Sequence, residues 1–386
     1  MDPFADIRPF NDAEVPDALQ RLLADPEFIA AITRLRFNWA PRLVTRLLQP
    51  LVRMGLRREL APVDGVESLQ HVVEVYMSRM IEDTTSGVTV SGLENLPADQ
   101  AHLFMSNHRD ITLDPAFTNY ALYHQGRETV RIAIGDNLLT KPYVSDLMRL
   151  NKSFIVQRSA RGPRQVLKAY QGLSAYIRQS IQTDQVPIWM AQREGRAKDG
   201  IDRTEPAIIK MLAMSQDKQQ ESFGEYIGSL RIVPVSISYE LDPCDGMKAA
   251  ELHAIASRGG YEKAEYEDVA SIAAGIAGQK GQVHVAFGQP LGAELDSADA
   301  VAAAMDKQIV GNYQLHSTNL YAWRWLHGDS AALPAAAENV TGSFSEAEFR
   351  QRIEAMPGAQ QEFALGIYAN VVASKLQLAE SAGAGE

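Results

Sequence analysis

"HLFMSNHRDITLDPAF", residues 102–117, is the stretch on which the fold turns. "HLFMSN" is a short apolar run of strand type. Asp114-Pro115 is a helix-start signal, with aspartate as N-cap and proline at the first helical position. Strand, short polar connection and helix make half of a crossover unit, the building block of a largely parallel sheet. The connection carries His108, Arg109 and Asp110, with Asp114 at its far end. It sits at a strand's C-terminal end, where open α/β sheets bind their ligands.

The same alternation continues along the chain. "VRIAIG", "SFIVQR", "PIWMAQ", "LRIVPVSISY" and "QVHVAFG" are strand candidates separated by helical stretches. Before them, residues 14–82 read as helical, because apolar residues recur every three or four positions in "ALQRLLADPEFIAAITRL" and "SLQHVVEVYMSRMI". At "TSGVTVSGLENLP" the period changes to two and β-branched residues appear, marking a boundary near residue 86. Beyond residue 330 two more helices are expected. Ser345 and Glu348 have capping-box spacing there, with Phe344 and Phe349 placed as a hydrophobic staple. The expectation is an α/β fold with a mostly parallel sheet flanked by helices. It comprises an N-terminal helical domain (1–85), an α/β domain (86–330) and a helical C-terminal extension (331–386).

With 46% hydrophobic and 22% charged residues, the chain can bury a large core as a soluble globular protein. A net charge of −11 argues against nucleic acid as a partner, which would require a basic footprint. The single cysteine, Cys244, excludes an internal disulfide framework and suits a reducing cytosol. No stretch reaches the ~20 apolar residues of a membrane span, and "MDPFADIRPF" is acidic where a signal peptide is basic. A soluble or peripheral protein is expected, and the sequon Asn339-Val340-Thr341 reads as chance.

Residues 34–58, "RLRFNWAPRLVTRLLQPLVRMGLRR", hold seven arginines and no acid within this acidic chain. Arg42, Arg46, Arg53 and Arg57 fall on one helical face. Trp39, Leu43, Leu47, Leu48 and Met54 supply apolar bulk, and Pro50 is placed to kink the helix. Such a helix suits an anionic membrane surface, or alternatively packs on the protein with its arginines in water.

Phosphate-binding glycine loops, a dinucleotide fingerprint and a G-x-S-x-G elbow are absent. The eight histidines do not cluster at metal-ligand spacing, so no zinc is expected. Cys244 lacks a neighbouring histidine and reads as a loop or core residue. His108 is different. A lone histidine is usually structural, but a histidine with one ring nitrogen held by a carboxylate presents the other as a general base for a hydroxyl. Two further strand ends add cations: Arg158, Arg161 and Arg164 after one, and Arg193, Arg196 and Lys198 in "QREGRAKDG" after another. A base beside guanidiniums describes proton removal next to an anion clamp.

These blocks, in order across roughly residues 86–300, resemble the glycerol-3-phosphate and lysophosphatidate acyltransferase family. "NHRDITLD" resembles its histidine–aspartate block, "NKSFIVQRS" its G-x-x-F-I-x-R block, "EGRAKDG" its E-G-T-R block and "IVPVSISYE" its proline-bearing strand. Two departures exist. Asp114 lies six residues after His108 where the family has five, and the third block is one residue short, leaving Arg196 or Lys198 in the arginine's role. Asp110 rivals Asp114 as the carboxylate that orients His108; its alternative role is a turn residue.

The resemblance implies that His108 deprotonates an acceptor hydroxyl, which attacks the thioester of acyl-CoA or an acylated carrier protein. Asp114 would orient the imidazole. Arg158 with Arg196 or Lys198 would hold the acceptor phosphate, Glu194 and Gly195 would shape that turn, and Pro234 would mark the acyl-site strand. No metal or redox cofactor is implied. The acceptor is expected to be glycerol-3-phosphate or its 1-acyl derivative. Rival readings are another amphiphile such as an aminolipid, or a non-catalytic lipid-binding protein. The expected place is the cytoplasm, peripheral on the inner face of the membrane.

Overall fold

The computed structural model describes residues 2–37, 40–264, 266–338, 340 and 342–383, with the side chains of Arg42 and Ala382 also outside the description. Helices α1 (Val15–Ala24), α2 (Pro26–Arg36), α3 (Arg42–Glu59) and α4 (Val66–Thr84) come first. Then alternate β1 (Thr85–Ser91), β2 (Leu103–Ser106), α5 (Leu113–His124), β3 (Arg131–Gly135), α6 (Pro142–Leu150), β4 (Ser153–Val156), α7 (Pro163–Gln182) and β5 (Ile188–Ala191). They are followed by α8 (Pro206–Leu212), α9 (Phe223–Ser229), β6 (Ile232–Tyr239), α10 (Asp245–Arg258), α11 (Glu267–Ala277) and β7 (Gly281–Phe287). The last helices are α12 (Ala298–Asn312), α13 (Ser317–His327), α14 (Glu346–Glu354) and α15 (Gly358–Gly383). Every strand expected from the sequence is formed.

Two units interleave in the chain: Met1–Met77 with Arg131–Leu173, and Ser78–Val130 with Ser174–Glu386. In the first, α1, α2 and α3 close around Val15, Leu19, Leu22, Phe28, Ile29, Val52 and Leu56. Asp25 caps α2 by accepting from the amides of Glu27 and Phe28, with Pro26 at the position that has no intrahelical donor to lose. Strands β3 and β4 of this unit pair in parallel.

The second unit holds a sheet in the order β1-β7-β6-β2-β5. β2 runs parallel to β5 and β6, β1 is parallel to β7, and only the β6–β7 pair is antiparallel. All eight residues of β6 are buried, as expected of a strand covered on both faces. The architecture is α/β, with a mostly parallel sheet flanked by helices. The C-terminal helices pack onto this unit through Leu241, Ala249, Ala322, Phe349, Ile353, Leu365 and Tyr368. Ser345 and Glu348 form the expected capping box, and Phe344 packs against the cluster containing Phe349.

No helix among the described residues is long and apolar enough to cross a membrane. Helix α3 runs through Pro50 without interruption. Trp39 and the sequon residues Asn339 and Thr341 lie outside the described residues.

Candidate active site

Asn107 ends β2 by substituting its side chain for the next rungs of the ladder. Its Oδ1 accepts from the Ile237 amide (2.8 Å) and its Nδ2 donates to the Ile237 carbonyl (3.0 Å). The main chain is thereby released to turn at His108, whose carbonyl accepts from the Ala197 amide at 2.7 Å. The His108 ring stands edge-on to Trp189 of β5, with centroids 6.1 Å apart.

His108 Nδ1 lies 2.9 Å from Asp114 Oδ2. The same oxygen accepts from the amides of Arg109 (2.7 Å) and Asp110 (2.9 Å), while Oδ1 accepts from the Tyr239 hydroxyl (2.8 Å). Asp114 is fully buried in the first turn of α5. Surrounded by donors, its carboxylate serves as an acceptor, so the Nδ1 proton belongs to His108, and in the neutral ring the lone pair then falls on Nε2. The His108 side chain retains 14% exposure.

The expected N-cap is corrected. Helix α5 begins at Leu113, so Asp114 lies inside the first turn, with Pro115 one residue further in. Asp110 takes over at the helix start, its Oδ1 accepting from the amides of Thr112 and Leu113 (2.9 Å each). Because Asp110 reaches two of the orphan amides, the helix starts two residues early and Asp114 is left to hold the loop. The rival orienter makes no hydrogen bond to His108 among the described residues. Its other carboxyl oxygen sits against α11, where a Cβ on Gly275 would lie only 2.5 Å from it. Burial, and then the neighbouring Asp114 charge, push the Asp110 carboxyl above its usual range.

The third block forms a turn in which Gly195 takes φ +72°, a left-handed conformation that favours glycine. Glu194 is exposed in this turn. Arg196 donates to the Ser271 hydroxyl on α11, and Lys198 pairs with Glu251 on α10. The two candidates therefore differ: Lys198 already faces a carboxylate, whereas Arg196 meets a neutral hydroxyl. Pro234 is buried in β6, in register with Met105. Arg158 belongs to the first unit, where its amide donates to Asp136 (3.1 Å) and its side chain runs over Gly135. Cys244 is buried, with Sγ 3.3 Å from Ser271 Oγ.

Asp202 carries no motif and emerges only in the structure. Its Oδ2 accepts from Arg109 Nη2 (2.6 Å) and from Asn107 Nδ2 (3.2 Å), so one buried carboxylate holds both residues that bracket His108. Lys248 adds a donor to the Arg109 carbonyl (2.7 Å). The backbone around the histidine is thus pinned from three elements. The arrangement can hold a neutral imidazole in one tautomer and aim its free nitrogen at a hydroxyl.

Residues 87–238 match the family model described as Acyltransferase. No curated protein is similar enough to match. Among solved structures, the chain is similar to the 1-acyl-sn-glycerophosphate (LPA) acyltransferase PlsC from Thermotoga maritima. That likeness has 15% identity and a TM-score of 0.37, over 63% of this chain and 77% of that chain.

Proposed function

We propose a specific reaction, supported by the match of residues 87–238 to the acyltransferase family model. A fatty acyl group passes from an acyl thioester, on coenzyme A or a carrier protein, to a hydroxyl of glycerol-3-phosphate or 1-acylglycerol-3-phosphate. The observation that carries the reading is the His108 Nδ1–Asp114 Oδ2 hydrogen bond at a strand's C-terminal end. His108 Nε2 takes the acceptor's hydroxyl proton as that oxygen attacks the thioester carbonyl. The carbon–sulfur bond then breaks, and the imidazolium returns its proton to the departing thiolate. Atoms and charge balance with no further reactant. Arg196 is the phosphate ligand favoured by its neutral partner, and the role of Arg158 rests on the sequence pattern alone. Purified protein with a labelled acyl thioester and each acceptor in turn tests the reading. Formation of the acyl ester supports it, and hydrolysis alone, or no reaction with either acceptor, overturns it.

The partner proposed for the first unit is an anionic lipid surface, reached from the cytoplasmic side. Helix α3 buries Thr45, Val52 and Leu56 and turns two other faces outward. One is apolar: Leu43 (71% exposed), Leu47 (72%), Leu51 and Met54, with Val44 beside them. The other is basic, with Arg46 and Arg57 exposed and Arg53 partly so. An apolar stripe flanked by guanidiniums complements acyl chains beneath phosphate headgroups, and water does not reward leaving it exposed.

A further inference from the structure

The Asp114 carboxylate has two oxygens with different duties. Oδ2 serves the loop, taking His108 and two backbone amides. Oδ1 faces away and receives the Tyr239 hydroxyl at 2.8 Å, across 125 residues of chain. Tyr239 is the last residue of β6, is held at the sheet by its register with Val283, and stacks edge-on against Phe117 of α5 at 5.7 Å. Its backbone is a rung of the sheet, so its hydroxyl is a fixed donor. Burial, and then Asp114 beside it, push its ionisation well above that of an ordinary tyrosine, so it remains a donor across the working pH range.

We infer that Tyr239 is a positioning residue, fixing the rotation of the Asp114 carboxylate so that Oδ2 faces His108 Nδ1. The inference rests on the acyl-transfer reading for its kinetic consequence and on geometry alone for its effect on the imidazole. The C–C bond to a carboxyl group turns easily, and an aspartate held from one side only can swing its oxygens out of line. Backbone amides pin Oδ2, and the tyrosine pins Oδ1. With both held, the Nδ1–H tautomer of His108 is fixed before any substrate arrives, which is the form that leaves Nε2 free to act as a base. Tyr239 reaches the reacting atoms only through Asp114 and His108. Its loss therefore slows the chemical step without weakening substrate binding.

Tyr239→Phe removes one hydroxyl and keeps the ring. Ser236→Ala is the control on the same strand, because the Ser236 hydroxyl is buried and has no hydrogen-bond partner among the described residues. The expected result for Tyr239→Phe is a fall in kcat of roughly ten- to hundred-fold, with KM for both substrates unchanged. Nitrogen-15 spectra of labelled histidine provide a readout that needs no turnover: the wild type and Ser236→Ala hold His108 as Nδ1–H, and Tyr239→Phe mixes the tautomers. Should that variant fold poorly, difluorotyrosine placed at 239 keeps the bulk and strengthens the donor, and the His108 ring signals must move. Unchanged ring signals overturn the inference whatever the rates do. A raised acceptor KM with normal kcat also overturns it, making Tyr239 a substrate contact. If the wild type transfers no acyl group, the functional reading falls and the tautomer measurement still decides the role of Tyr239.

Discussion

The Arg109 guanidinium and the Asp202 carboxylate form a buried ion pair at 2.6 Å, and each side chain keeps only 5% exposure. The pair spans 93 residues of chain and joins the histidine loop to the segment after the third block. Removing one member leaves the other charged and buried, which costs about 3–5 kcal/mol, whereas replacing both by apolar residues can be nearly neutral. Asp202→Ala should lower the urea midpoint strongly, and Arg109→Met with Asp202→Leu should recover most of the loss. Equal losses in the single and the double variant would show that the pair does not act as a unit.

Asp114→Asn should cut kcat by several orders of magnitude, as an amide in place of an orienting carboxylate costs ~10⁴ in the serine-protease case. Asp110→Asn should leave turnover near wild type, because an amide oxygen still accepts from Thr112 and Leu113. His108→Ala should abolish transfer in a folded protein. Steady-state kinetics on the three variants decide the order, and an inactive Asp110→Asn beside an active Asp114→Asn would reverse the assignment.

His316, buried where α13 meets β6, has its pKa lowered to about 4 from 6.5, with burial the main cause. The folded protein holds the ring neutral while the unfolded chain binds a proton between those values. Stability is therefore fully present above about pH 6.5 and is lost as the pH falls toward about 4, amounting to about 3 kcal/mol. Urea denaturation at pH 7 and pH 4.5 measures the drop, and His316→Gln should shrink the difference between the two.

Arg196→Ala should raise the acceptor KM by roughly one to two decades, the cost of a lost charge-assisted contact, and leave the donor KM in place. Lys198→Ala should change it less, since its partner is Glu251. The same assay on Arg158→Ala tests the expectation drawn from its motif. A raised donor KM instead would place the arginine concerned on the thioester carrier.

The wild type should sediment with anionic vesicles at low salt. Each basic residue near such a surface contributes about 1 kcal/mol, screened over ~8–10 Å at physiological salt. Arg46, Arg53 and Arg57 changed together to glutamate should abolish binding. Leu43 and Leu47 changed to serine should weaken it on neutral vesicles as well. No binding by the wild type under these conditions would make α3 a surface for something other than lipid.

Much of this protein was readable within windows of a few residues. Apolar runs marked the strands, a three- to four-residue period marked the N-terminal helices, and Ser345 three residues before Glu348 announced the cap of α14. The six-residue spacing of His108 and Asp114 put a base beside a carboxylate. Those signals are local, because backbone geometry and capping act between near neighbours. The choice between Asp110 and Asp114 was not local, although both lie in the same short loop. It depended on which carboxyl reached the helix amides and which met Tyr239, 125 residues away. Asp202 had no signature at all, since its contacts with Asn107 and Arg109 exist only once the chain has brought distant segments together. Helix α3 makes the same point at the surface. Its pattern marked arginines and leucines, but the core decided which face was buried and so left Leu43, Leu47 and Leu51 facing outward. Sequence determined the elements and their chemistry. Tertiary packing decided which donors reach which oxygens, because burial and hydrogen-bond partners are properties of the folded chain.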